Sequence, residues 1–228
     1  MQSIIRNGVA WLALAGAALV AQADTVARAI GGTSIQVPVP PGYVEVTDPR
    51  LLDFARKTTP NGNRLLAVFV SQADDERMRA GFGPLMQRYF MLQTSRRAEA
   101  AKLNPSDFAQ VKAAIRAQMP TTSERVLPGV NKDLRNNLQD EAVQAEVKSV
   151  AGDGVFLDTD TAIGFGMRGE VKVTAAERSE TTEMGSAGVT ALARGKLVFF
   201  YAYAIASDLD WARGEARSWA AQLERANR

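Results

Sequence analysis

Asp153, Asp158 and Asp160 stand close together in the chain and are the residues best placed to do chemistry. Two carboxylates can act as acid and base at a glycosidic bond, or share a calcium ion. If residues 158–160 are extended, Asp158 and Asp160 fall on the same side of the strand, because side chains alternate with a period of two. The further oxygen ligands and distal glutamate of an EF-hand loop are missing, and aspartate is also a common turn residue. Asp158 and Asp160 are therefore the candidate carboxylates for catalysis or metal binding, set against a plain polar turn. No residue is assigned a catalytic, cofactor-binding or metal-binding role, and no cofactor is expected.

The chain has no histidine and no cysteine. Ser-His-Asp and Cys-His catalysis lose an essential member, and zinc, copper and haem lose their usual ligands. A Ser-x-x-Lys dyad is absent as well. Residues 164–169 satisfy G-x-G-x-x-G, with Glu183 further on. A dinucleotide site needs those glycines to open a helix inside a parallel β-α-β unit. Here Ile163, Phe165 and Met167 alternate with small or polar residues and the alternation runs on through Val173, so a bent strand under a helix or aromatic ring is expected. Arg96-Arg97, which could grip an anion, reads as a solvated pair, and Tyr201 and Tyr203 read as sheet-face residues rather than ligand stackers.

The frame that must position these residues begins with residues 1–23. Arg6, an apolar run over residues 9–20 and the small-x-small site Ala21-Gln22-Ala23 read as a cleaved secretory signal peptide. The run falls short of the roughly 20 residues a membrane helix needs. The mature chain, residues 24–228, is expected in a periplasm, without a transmembrane segment, as a single domain. It is long enough to bury roughly 70 per cent of its unfolded surface without disulfide staples. Removing Arg6 from the 27 basic residues leaves 26 against 25 acidic ones. The pI near 9.0 reflects the missing histidines rather than a basic surface, so no nucleic-acid partner is expected.

Period-two alternation predicts strands at residues 35–39 and 43–46, separated by Pro40-Pro41-Gly42. Asp48-Pro49 caps a helix through Lys57. Residues 65–70 form a continuous apolar run, expected as a strand central to the sheet and covered on both faces, and residues 85–94 are read as a strand. Asn104-Pro105 opens a helix whose Phe108, Val111, Ile115 and Met119 stripe should face a core. Residues 120–130 read as a loop, hinge or boundary, and residues 131–147 as a second helix with Leu134, Leu138, Ala142 and Ala145 inward.

Beyond Asp153 the period becomes two, predicting strands at 155–157, 161–173, 181–193 and 196–206. In the last, Phe199, Tyr201, Tyr203 and Ile205 share one face. Phe200, Ala202, Ala204 and Ala206 share the other, where a helix can approach closely. That helix is expected to be the terminal one, opened by Ser207 or Asp208, with Ala212, Ala216, Trp219 and Leu223 inward. The fold class is α+β: a mainly antiparallel sheet with helices packed on its faces.

The Ile-x-Val-Pro-x-Pro-x-Gly-Tyr start at Ile35 to Tyr43 and the closing Gly195-Lys196-Leu197-Val198-Phe199-Phe200-Tyr201 strand before a helix resemble exported proteobacterial proteins. At the level of fold the chain is similar to the PsbP-like α/β/α sandwich. The resemblance implies an accessory or binding role and carries no site residue with it. The resulting expectation is a non-enzymatic periplasmic accessory or binding protein whose partner is an envelope protein or another cell-envelope component. The alternative is a carboxylate-dependent hydrolase of an envelope or sugar substrate, built on Asp158 and Asp160. A carrier of a lipid or small apolar ligand would need a cavity behind the 199–205 face.

Overall fold

The structure is a computed structural model that describes residues 24–82, 86–119, 122–175 and 178–228. The segment read as a signal peptide lies outside the described residues. Strands β1 (Thr25–Ile30) and β2 (Thr33–Pro38) form a hairpin turned by Gly31 and Gly32, both with positive φ. A side chain at Gly31 would also collide with the backbone carbonyl of Glu99, so only glycine fits there.

The main sheet is antiparallel throughout. Its strands are β3 (Tyr43–Glu45), β4 (Asn63–Ser71), β5 (Arg88–Ser95), β6 (Val143–Asp158), β7 (Ala162–Ala175), β8 (Arg178–Ala193) and β9 (Lys196–Ile205). They lie in the order β3-β4-β5-β9-β8-β7-β6. The alternation in the sequence sets β9 at the centre. Phe200, Ala202 and Ala204 are buried on one face, while Tyr201 and Tyr203 are half-buried on the other.

On the Phe200 face lies helix α5 (Leu209–Ala226), which follows a 3₁₀ turn at Ala206–Asp208. Its buried Ala212 and Ala216 let it sit close to the Ala202 and Ala204 positions. Trp219 stacks on Phe200 with ring centroids 4.1 Å apart, and its indole N–H donates to the Pro38 carbonyl at 3.1 Å. The helix is thereby tied to both the sheet and the β1–β2 hairpin. Asp208 does not cap α5 with its side chain, as the sequence suggested; its carboxylate instead accepts from the Arg88 guanidinium at 2.6 Å.

The opposite face carries the remaining helices. Helix α1 (Pro49–Thr58) begins as predicted, with the Asp48 carboxylate accepting from the Arg50 and Leu51 amides, and packs Ala55 on Val46, Val68, Val70 and Met91. Helix α2 (Gln72–Arg79) is capped by Ser71. Helix α3 (Pro105–Gln118) has a capping box of Asn104 and Asp107. Only Phe108 of its expected apolar stripe is fully buried; Val111, Ile115 and Met119 remain partly exposed because the helix is only loosely packed against the rest of the fold.

Helix α4 (Thr122–Asn137) and β6 overturn two expectations. Residues 122–130 are helical rather than a loop, with Pro128 inside the helix, while Pro120 lies outside the described residues. The helix read over 131–147 stops at Asn137, and residues 143–147 are strand. Leu134 and Leu138 are buried as expected, whereas Ala142 is exposed and Ala145 belongs to the sheet. A weak alanine stripe could not outweigh the ladder that Val143 to Val147 makes with Ala175 to Val171. The strand at 65–70 is covered on both faces but lies second from the edge, not at the centre.

Candidate functional site

A cavity of about 450 Å³ lies on the Tyr201 face of the sheet, under α1 and α4. This is within the usual size of small-molecule sites, about 300–1,000 Å³. Its floor is built by residues that the antiparallel register sets side by side: Tyr89 opposite Tyr203, Met91 opposite Tyr201, Ser186 opposite Tyr203, and Met167 opposite Ser186. Val147 and Val171 continue it toward the edge. Leu127, Val130 and Leu134 of α4, at helical spacing, form one wall, and Phe54 of α1 forms another. The expected hinge is thus the covering helix of the cavity.

The lining is predominantly apolar, with a tyrosine shelf at its centre. Tyr89 and Tyr203 stack at 4.8 Å, and Tyr201 lies 6.0 Å from Tyr203. None of the three hydroxyls is hydrogen-bonded to another described residue. Burial pushes the Tyr89 and Tyr201 phenols up to about 12 and raises Tyr203 well above its ordinary value, so all three remain protonated. Arg168 is the single basic residue among the described lining residues, but the register sets its side chain with Gly185 and Ala204 on the α5 face of the sheet. Its Nε donates to Asp153 at 3.2 Å and one terminal nitrogen to the Ala206 carbonyl at 2.9 Å.

Gly188 makes room for this arrangement. A Cβ there would stand 3.0 Å from both the Phe165 and Tyr201 rings, so a larger residue requires one ring to give by a few tenths of an ångström. Residues 164–169 lie within β7, as the alternation predicted, and lead to no helix. A Cβ at Gly164 would meet the Phe156 ring at 2.7 Å and one at Gly169 the Ser149 carbonyl at 2.3 Å. These glycines admit close neighbours; Glu183 pairs across the ladder with Glu170.

The aspartates are placed elsewhere. Asp158, the last residue of β6, accepts from Lys112 at 2.9 Å and from Arg116, which tie α3 to the strand. These hydrogen bonds hold its carboxyl below the ordinary carboxylate range, opposite to what a general acid requires. Asp160 is exposed in the turn after β6, where the Thr159 amide donates to the Ala162 carbonyl and the extended geometry ends. Asp153 accepts from Arg168 and is ion-paired with Arg213 at 2.8 Å, and its backbone carbonyl accepts from Arg213 at 2.7 Å. Among the described residues, no group of three or more Asp or Glu side chains gathers as a metal cluster, and no helix is long and apolar enough to cross a membrane.

Tyr201 and Tyr203 lie on a sheet face, as the alternation predicts, and that face lines the cavity. Alternation in β9 gave their common face; Tyr89 and Met91 could join them only through the β5–β9 register, which no local pattern encodes. No protein-family model and no curated protein matches the chain. Among solved structures it shows a weak fold-level similarity to the solution structure of cyanobacterial PsbP (CyanoP) from Synechocystis sp. PCC 6803. The match covers 91% of this chain and 94% of that one, at 14% identity and a TM-score of 0.34.

Proposed function

We propose that the protein is a non-enzymatic periplasmic binding protein that holds a small apolar molecule of the cell envelope in the cavity between the sheet and helices α1 and α4. The observation that carries this reading is the cavity itself: about 450 Å³, walled by valine, leucine, methionine and tyrosine, and opening on a few polar groups. An apolar molecule placed there gains roughly 25 cal/mol for each Å² of apolar surface withdrawn from water. Export is supported by the pattern of residues 1–23, and a binding role is in keeping with a chain that has neither histidine nor cysteine.

The test is to purify the protein from envelope extracts, extract it with organic solvent and identify released molecules by mass spectrometry. An apolar compound recovered in near-stoichiometric amount is expected. A clean extract, together with failure to take up the neutral fluorescent probe N-phenyl-1-naphthylamine, would overturn the reading. For the location, cell fractionation and N-terminal sequencing should find a periplasmic chain starting at Asp24; a cytoplasmic chain retaining Arg6 would contradict it.

A further inference from the structure

We infer that the cavity selects an uncharged ligand bearing at least one oxygen that hydrogen-bonds to the hydroxyls of Tyr89, Tyr201 and Tyr203. The inference rests on the cavity being a ligand site and concerns what that ligand must carry.

Charge is disfavoured by the walls. Among the described lining residues no carboxylate faces a ligand cation, and the guanidinium of Arg168, the single basic residue of the lining, is turned to the α5 face, where Asp153 and the Ala206 carbonyl engage it. An ion entering this lining would lose its hydration with no opposite charge to replace it, which is the costliest form of burial. The phenols do not supply that charge, because burial keeps them protonated.

A pure hydrocarbon is disfavoured for the opposite reason. Each tyrosine hydroxyl can donate one hydrogen bond and accept others, and none of the three is hydrogen-bonded to another described residue. An alkane that fills the cavity would strip water from these hydroxyls and return nothing, and an unmet buried hydroxyl is penalised. An ester, ketone, ether or alcohol oxygen restores the bond while the rest of the molecule lies on the Met91, Val147, Val171 and Leu134 walls. The stacked Tyr89 and Tyr203 rings give that end of the ligand a flat apolar support.

The experiment is displacement of N-phenyl-1-naphthylamine from the purified full chain by three probes of equal chain length: methyl decanoate, decanoate and decane, at neutral pH, where decanoate is ionised. Methyl decanoate is expected to displace at a concentration at least about tenfold lower than either of the others. In Tyr201→Phe/Tyr203→Phe, which keeps both rings, the ester should weaken by about three- to tenfold per hydroxyl lost, while decane, which no longer leaves those two hydroxyls unmet, should bind more tightly. Equal displacement by ester and decane, tightest binding by decanoate, or displacement by none of the three each overturns the inference and leaves the cavity a ligand site. Failure of the naphthylamine to bind at all overturns the cavity reading instead. An ester affinity unmoved by the double Phe variant also overturns the inference.

Discussion

Tyr89 of β5 and Tyr203 of β9 are direct cross-strand partners whose rings stack 4.8 Å apart and 12° from parallel inside an apolar cavity. Burial raises both phenols, with Tyr89 pushed up to about 12. A folded-state pKa above the unfolded value of about 10 favours folding below pH 10, and that contribution is lost as pH rises through the folded value. Stability should fall between about pH 10 and 12, and tyrosinate absorbance should appear with unfolding rather than before it. Replacing Tyr89 and Tyr203 by Phe should flatten the fall; ionisation of these phenols near pH 10 in the folded protein would contradict it.

On the other face, Trp219 lies parallel to Phe200 and bonds the hairpin through Pro38. Trp219→Ala leaves a large void between α5 and the sheet, and a loss of about 3–5 kcal/mol is expected in urea unfolding. Trp219→Phe retains the stack and gives up the Pro38 bond, so a loss of about 1 kcal/mol is expected from that bond. Equal losses in the two variants would mean that the stack contributes nothing.

Gly188 links the sheet to the cavity. In Gly188→Ala the added methyl meets Phe165 and Tyr201 at 3.0 Å, so one ring must move, and Tyr201 has the open cavity beside it. A stability loss of about 1–3 kcal/mol and weaker N-phenyl-1-naphthylamine binding should occur together. A variant with wild-type melting and wild-type binding would show that the rings have slack.

Asp158 is a test of the carboxylates. Its pairing with Lys112 and Arg116 lowers its folded pKa, so the stabilisation is present above the unfolded value, about 3.9, and disappears as pH falls through the folded one. The difference in melting temperature between wild type and Asp158→Asn should therefore be present at neutral pH and vanish in acid. Since the pair is solvent-exposed, the effect should be small and weakened by salt. Ligand binding should not change, because Asp158 lies outside the cavity lining.

The sequence made the sheet more legible than the helices. Alternation in residues 196–206 was enough to assign both faces of β9, and Asp48-Pro49 and Asn104-Pro105 marked two helix starts because capping is local chemistry. The boundary between α4 and β6 is not legible locally, because Leu134 and Leu138 suit a helix while Val143 to Val147 suit either state until β7 supplies its ladder. Pro128 suggested a break, yet the helix carries it through. The cavity was visible only as a condition, a space behind Tyr201 and Tyr203, since its other walls come from β5, α1 and α4. The carboxylates drew attention by spacing, but the turn after Asp158 leaves Asp160 in solvent and gives Asp158 to Lys112 and Arg116.

The central claim is that the cavity binds an apolar molecule, and a fluorescence titration of N-phenyl-1-naphthylamine against wild type and Ala145→Trp tests it most directly. Ala145 lines the cavity on the edge strand β6, where a larger side chain can enter the space without disturbing the core. The account predicts saturable binding to wild type and affinity at least about tenfold weaker in Ala145→Trp, with both proteins melting alike. Equal binding by the two, or none by the wild type, would contradict it.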